Sequence, residues 1–110
     1  MYRYNAELIR VIDGDTIEAN VDLGFYTWKR VTIRLHGIDT PETRTKDLEE
    51  KKQGIAAKER LQELLSDDKF VLVSQGLDKY GRCLGDVIIS TGENANLILL
   101  YEGHAREYNG

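Results

Sequence analysis

One cysteine, one proline and two histidines are all that this 110-residue chain offers of residue types that often announce a scaffold or a metal. A lone Cys83 excludes an internal disulfide and a thiolate cluster for zinc, so neither a cystine-stapled scaffold nor a zinc finger fits, and packing is its expected role. His36 and His104 lie far apart, outside any ligand-like spacing, which argues against an imidazole metal site or a histidine acid–base pair. Long apolar runs are missing: none approaches the roughly 18 to 20 residues of a membrane span. The first ten residues also lack the basic start, apolar middle and small-residue cleavage site of a secretory signal. No membrane association is expected, and the compartment stays open. Positive charge is not in excess either. The formal net charge of −4 counts against a protein that grips nucleic acid by electrostatics alone, although arginines clustered beside carboxylates could act on a phosphodiester if a cation offset the acids.

What is present is a globular composition, 41% hydrophobic and 31% charged, without repeats or low-complexity linkers. The length fits one domain over residues 1–110. Residues 7–12 and 16–23 read as two strands of a hairpin around Asp13-Gly14-Asp15, with Ile17, Ala19, Val21 and Leu23 on one face. Alternation resumes over residues 28–38, placing Val31, Ile33 and Leu35 inward and Thr32, Arg34 and His36 on the opposite side. Pro41 ends that strand region, after which Ala57, Leu61, Leu64 and Leu65 recur at helical spacing. The pattern predicts a helix over residues 48–65, its first turns in the charged run 47–52, and Gly54 as a weak point. Two more strands follow, at residues 70–74 and 84–89, joined by a turn over 76–81. A short helix through Glu102 is expected, with Asn96 as its cap and Gly103 as its left-handed stop; the tail has no clear pattern. Three strands, a helix, two strands and a short helix match a five-stranded, partly open barrel of the oligonucleotide- and oligosaccharide-binding (OB) type.

Three segments carry candidate chemistry. Asp13-Gly14-Asp15-Thr16 suits a type I′ hairpin turn, since Asp-Gly accepts positive φ angles; alternatively, Asp15 is a rigid hard-oxygen ligand for calcium or magnesium. Arg34-Leu35-His36-Gly37-Ile38-Asp39-Thr40-Pro41-Glu42 packs one arginine and two carboxylates into nine residues at a strand end. It reads either as a solvated turn or as a site in which Asp39 and the main-chain oxygen of Thr40 meet a cation, Glu42 an attacking water, and Arg34 phosphate oxygens. Asp78-Lys79-Tyr80-Gly81-Arg82 is either an ordinary hairpin or the source of a second guanidinium, Arg82, with Lys79 and Tyr80 touching a phosphate or base.

Together these segments, DGDT, R-x-x-G-I-D-T-P-E and D-K-Y-G-R in that order, resemble the signature of the staphylococcal nuclease (thermonuclease) family over nearly the whole chain. The resemblance implies a calcium-dependent phosphodiesterase. Asp15, Asp39 and the carbonyl of Thr40 would hold one calcium ion, and Arg34, Glu42 and Arg82 would be catalytic. Lys79 and Tyr80 would contact substrate, and Asp13 matches a supporting acid of the turn. The implied substrates are DNA, single-stranded or locally opened, and RNA, cut to leave 3′-phosphate ends; a monomer without an obligate protein partner is expected. Two other readings compete: a related domain that binds nucleic acid or protein without catalysis, and an OB domain of another lineage. The first would be expected to lack one of the key residues, and the second leaves the three motifs unexplained.

The chain departs from the family's best-known member at two places. That member continues into a further long helix and places tyrosines after the G-x-A that matches Gly103-His104-Ala105; Tyr108 is assigned no role here. The segment with Gly24, Phe25, Tyr26 and Trp28 is longer, and reads as a packed hairpin in preference to a base-stacking surface.

Overall fold

The computed structural model describes residues 2–109. Its strands are β1 (Tyr2–Asp13), β2 (Thr16–Asp22), β3 (Trp28–Leu35), β4 (Ile38–Asp39), β5 (Lys69–Leu77), β6 (Cys83–Ile89) and β7 (Arg106–Glu107); its helices are α1 (Leu48–Leu64) and α2 (Ala95–Tyr101). Strands β1-β2-β3-β6-β5 close into a barrel, and β4 and β7 form a separate two-stranded ribbon. All barrel pairings are antiparallel except β3 with β6, where Ile33, Arg34 and Leu35 lie beside Cys83, Leu84 and Gly85. This is the expected five-stranded OB-like barrel with a helix between its third and fourth barrel strands and a short helix near the C-terminus, but it is closed where a partly open barrel was expected, because β3 pairs with β6 over Ile33 to Leu35.

Alternation along the strands fills the interior. Ile17, Ala19, Ile33, Leu35, Leu72 and Val87 point inward and are buried, while α1 adds Leu61 and α2 adds Ala95 and Leu99 to the same core. Each fully buried aliphatic side chain contributes about 1.5–3 kcal/mol of burial. Cys83 sits half-buried in β6, and burial pushes its thiol above the ordinary range, as fits a packing role. At the start of α1, Asp47 caps the helix by accepting hydrogen bonds from Glu49 N and Glu50 N. No helix among the described residues is long and apolar enough to cross a membrane.

Several boundaries differ from the pattern reading. β1 begins at Tyr2 because residues 2–7 pair with β5, a partner that local alternation does not reveal. The third strand region breaks at Gly37, whose φ of +81 turns the chain between β3 and β4. The predicted turn over 76–81 starts too early, because β5 runs to Leu77 through a bulge between Ser74 and Gly76. Gly14 does not adopt positive φ, so the Asp13-Gly14-Asp15 connection is not the type I′ turn its residues suit. A Cβ at Gly14 would stand 2.7 Å from Ala57 Cβ and 3.0 Å from two side-chain atoms of Thr40, so close packing requires this glycine.

Asn96 is not the helix cap. That role falls to Asn94, whose side chain accepts from Leu97 N. Asn96 is instead buried as a pin: its Nδ2 donates to His36 O at 2.9 Å, Gly85 O at 3.2 Å and Asp86 Oδ1 at 3.0 Å, and its Oδ1 accepts from Val87 N at 3.1 Å. It ties α2 to β6 and to the turn after β3. The tail that showed no pattern pairs as β7 with β4, Glu107 opposite Ile38 and Arg106 opposite Asp39. The hairpin between β2 and β3 does not pack: Phe25 and Tyr26 are fully exposed at its tip.

Candidate active site

The three chemistry-bearing segments meet at one end of the barrel around a cavity of about 640 Å³, a size suited to a small ligand or a nucleotide portion. Asp15, Arg34, Asp39, Glu42, Lys79, Tyr80 and Arg82 all line it. Thr40 does not; it faces an adjoining hollow that shares Asp39 and Glu42.

Asp15 leaves the β1–β2 turn buried and held from three directions. Its Oδ2 accepts from Thr40 N at 3.0 Å, its Oδ1 accepts from Thr16 Oγ1 at 2.9 Å, and its carbonyl accepts from Leu35 N at 2.8 Å. These bonds fix a carboxylate on rigid elements. The Thr40 hydroxyl is buried without a hydrogen-bond partner among the described residues.

Arg34 points off the outer face of β3, as alternation predicts, yet only 12% of its side chain is exposed. Its Nη1 donates to Leu35 O at 3.0 Å and Ile38 O at 2.8 Å, which locks the guanidinium against the strand end. Its Nη2 lies 3.5 Å from Asp15 Oδ2 and 3.4 Å from Asp39 Oδ1. Tyr108 covers the guanidinium with its ring centroid 5.5 Å away, and Tyr108 N donates to Gly37 O at 2.9 Å. This tyrosine lines the cavity and was not identified from sequence. Its signal is the β4–β7 pairing, which sets the register of the tail and cannot be read from a two-residue strand. Asp39 is drawn in the other direction by Arg106, whose Nε and Nη2 reach Asp39 Oδ2 at 3.3 and 3.1 Å.

Glu42 is exposed at the cavity rim, and among the described residues no hydrogen bond or ion pair engages its carboxylate. Its backbone is placed by α1. A Cβ at Gly54 would stand 2.7 Å from both Pro41 O and Glu42 O, so only a glycine lets the helix lie this close beneath the Pro41-Glu42 main chain. Gly54, a weak point by propensity, is a positioning element by packing.

Opposite, the β5–β6 hairpin is organised by Asp78. Its Oδ1 accepts from Tyr80 N and Arg82 N, both at 2.9 Å, and its Oδ2 accepts from Arg82 Nε at 2.7 Å. Partial burial opposes ionisation of Asp78, but the hydrogen bonds from Arg82 and Tyr80 outweigh it and hold the carboxyl below its ordinary value. The Arg82 guanidinium and Lys79 Nζ flank the exposed Tyr80 ring at 5.3 and 5.4 Å from its centroid. One edge of Arg82 is therefore held by Asp78 and Tyr80.

Two carboxylates converging on one nitrogen fit a hard cation by donor chemistry: Asp15 and Asp39 supply anionic oxygens, and main-chain carbonyls and water complete such shells. Among the described residues no three His, Cys, Asp or Glu side chains gather at one point, so these two carboxylates are the only acidic pair the site offers from its own described side chains at Arg34 Nη2.

An OB-like barrel bearing paired carboxylates and two fork-shaped guanidiniums at one cavity defines a class of site suited to phosphate chemistry. The chain belongs to the staphylococcal nuclease homologue family, whose sequence pattern matches residues 32–110. It is 37% identical over 105 residues to Endonuclease YncB of Bacillus subtilis (strain 168), covering 93% of this chain and 47% of that protein. It is 34% identical over 113 residues to Endonuclease YhcR of the same organism, covering 96% of this chain and 9% of that one. Against the Micrococcal nuclease of Shigella flexneri it is 30% identical over 113 residues, covering 96% of this chain and 59% of the relative. The chain thus spans less than two thirds of the length of each.

Proposed function

We propose that this domain is a calcium-dependent nuclease that hydrolyses phosphodiester bonds of DNA and RNA at the cavity between the β1–β2 turn, the end of β3 and the β5–β6 hairpin. The observation that carries the reading is the convergence there of Asp15, Asp39, Arg34, Glu42 and Arg82 from three separated segments. Family membership and nuclease-named relatives support it.

In this reading Asp15, Asp39 and the carbonyl of Thr40 would hold a calcium ion, which would offset the charge that builds on the phosphate. Arg34, fixed through Nη1 by Leu35 O and Ile38 O, would turn its Nη2 edge to a phosphate oxygen. Arg82 approaches the same phosphate from the opposite wall, kept in place through Nε by Asp78. Two guanidiniums from opposite sides stabilise the equatorial oxygens where negative charge develops. Glu42, exposed at the rim, aligns or deprotonates the attacking water. Displacement of the 5′-oxygen breaks the P–O5′ bond and leaves a 3′-phosphate and a 5′-hydroxyl. Tyr80 and Lys79 contact the neighbouring base and phosphate.

End-group analysis of single-stranded DNA and RNA after incubation with calcium tests this. The expected products carry 3′-phosphates from both substrates, and Arg82→Ala slows their formation by about 10²- to 10³-fold. Wild-type rates in folded Arg82→Ala, or products with 5′-phosphates, would refute the assignment. Binding without cleavage under all metal conditions would favour the non-catalytic module.

A further inference from the structure

Asp47 caps α1 and Glu50 stands three residues on, the spacing of a capping box, in which the acidic side chain reaches back to the N–H of the capping residue. That bond is not made. Asp47 N donates instead to Thr45 Oγ1 at 3.2 Å, and the Asp47 side chain serves the first turn by accepting from Glu49 N and Glu50 N. Glu50 turns away from its own helix: its Oε1 accepts from Glu42 N at 3.3 Å, eight residues back along the chain. It is half-buried there, whereas Glu49 beside it is exposed.

The segment that receives this bond is held at three points. Glu50 takes Glu42 N; the Pro41 and Glu42 carbonyls lie over Gly54, one turn further along the same face of α1; and Thr43 Oγ1 donates to Asp13 Oδ1 at 2.6 Å on the side of the β1–β2 turn. Glu42 lines both the cavity and the adjoining hollow of about 530 Å³, while Glu50 lines only the hollow. Glu50 therefore meets Glu42 from behind and has no place on the cavity wall.

We infer that Glu50 is a positioning residue, which fixes through Glu42 N the backbone from which the Glu42 carboxylate is aimed. An exposed carboxylate takes its direction from its main chain and rotamer, so a hydrogen bond from that main chain to a charged acceptor is an effective place to hold it. The catalytic half of the inference rests on the proposed nuclease reading; the clamp itself does not. A favourable charge at the N-terminus of α1 is the competing role for Glu50, and Glu49 shares it in the same turn. Glu49→Ala is thus the control for charge, and Glu50→Gln keeps an accepting oxygen without the charge.

Amide exchange followed by NMR and cleavage of single-stranded DNA with calcium test the two halves separately. Glu42 N–H is expected to exchange at least about fivefold faster in Glu50→Ala, the loss of one ordinary hydrogen bond, and at close to the wild-type rate in Glu50→Gln and Glu49→Ala. Leu61 N–H, in the core-facing part of α1, reports global stability and should not change in step. In Glu50→Ala, kcat falls about tenfold with KM changed by less than about twofold, and Glu50→Gln restores it. In a Glu42→Gln background, Glu50→Ala lowers kcat no further, because the two residues act as one unit. Equal exchange of Glu42 N–H in wild type and Glu50→Ala overturns the clamp. Faster exchange with unchanged kcat, a loss that adds to that of Glu42→Gln, or failure of Glu50→Gln to restore kcat overturns the positioning role. No cleavage by wild type, with exchange responding as expected, refutes the nuclease reading and leaves the clamp standing.

Discussion

Replacing Gly54 by alanine sets two effects of opposite sign against each other. In an exposed helix interior, Gly→Ala stabilises by about 1 kcal/mol through backbone entropy. Gly54, however, is buried against the main chain of Pro41 and Glu42, where the new Cβ meets two carbonyl oxygens at 2.7 Å and Glu42 C at 2.9 Å. These are backbone atoms, so no rotamer change relieves the clash, and overpacking costs about 3 kcal/mol at the upper end of its usual range. The net is about 2 kcal/mol of destabilisation, a fall in Tm of roughly 10 °C for a domain of this size. Ordinary van der Waals contact begins at 3.4 Å, so the Pro41-Glu42 segment must retreat by about 0.7 Å, the difference from 2.7 Å. Because such a displacement at a catalytic group costs up to about 10²-fold, kcat should fall at temperatures where the variant is fully folded. Thermal denaturation and cleavage kinetics at 20 °C below Tm, with Lys52→Ala on the solvent side of α1 as control, separate the effects. A raised Tm with wild-type kcat in Gly54→Ala would show that the segment yields freely and that α1 does not position Glu42.

Two further perturbations follow from particular contacts. Asn96→Ala leaves Val87 N–H and the His36 carbonyl without their buried amide partner, while the Gly85 carbonyl keeps its bond from His36 N, so a loss of about 3 kcal/mol is expected in urea unfolding; a change under 1 kcal/mol would mean that water replaces the amide. Asp78 has a folded pKa below its unfolded value, so the stability it contributes is present above the unfolded carboxyl range and is lost as pH falls through the folded pKa. Asp78→Asn should accordingly flatten the acid limb of a Tm-against-pH curve and leave the neutral limb parallel to wild type; an unchanged acid limb would contradict this.

The barrel was legible because its strands alternate strictly where they face the core, as in Ile17-Glu18-Ala19-Asn20-Val21, and because α1 repeats its leucines at helical spacing. The residues of the cavity were legible as three short motifs, at residues 13–16, 34–42 and 78–82, which the fold brings together. What escaped depends on contacts between distant segments. Asn94 and Asn96 are equally good caps by residue type, and only the buried partners of Asn96 separate them. Gly14 and Gly54 looked like a turn residue and a helix defect, whereas both make room for the segment from Thr40 to Glu42. Tyr108 enters the cavity through a ribbon two residues long, too short for any periodicity to register. The exposed aromatics at the β2–β3 tip defeated the expectation of packing because a hairpin that overhangs its barrel has nothing to pack against.

The central claim, that this cavity hydrolyses phosphodiesters with calcium through an oriented water, is tested most directly by the cleavage rate of a fluorescent single-stranded DNA. The comparison is wild type against Glu42→Gln, each with calcium and with chelator. Cleavage by wild type only with calcium, reduced by about 10²-fold or more in Glu42→Gln, is the predicted result. Equal rates for the two proteins, or wild-type cleavage that persists in chelator, would contradict it.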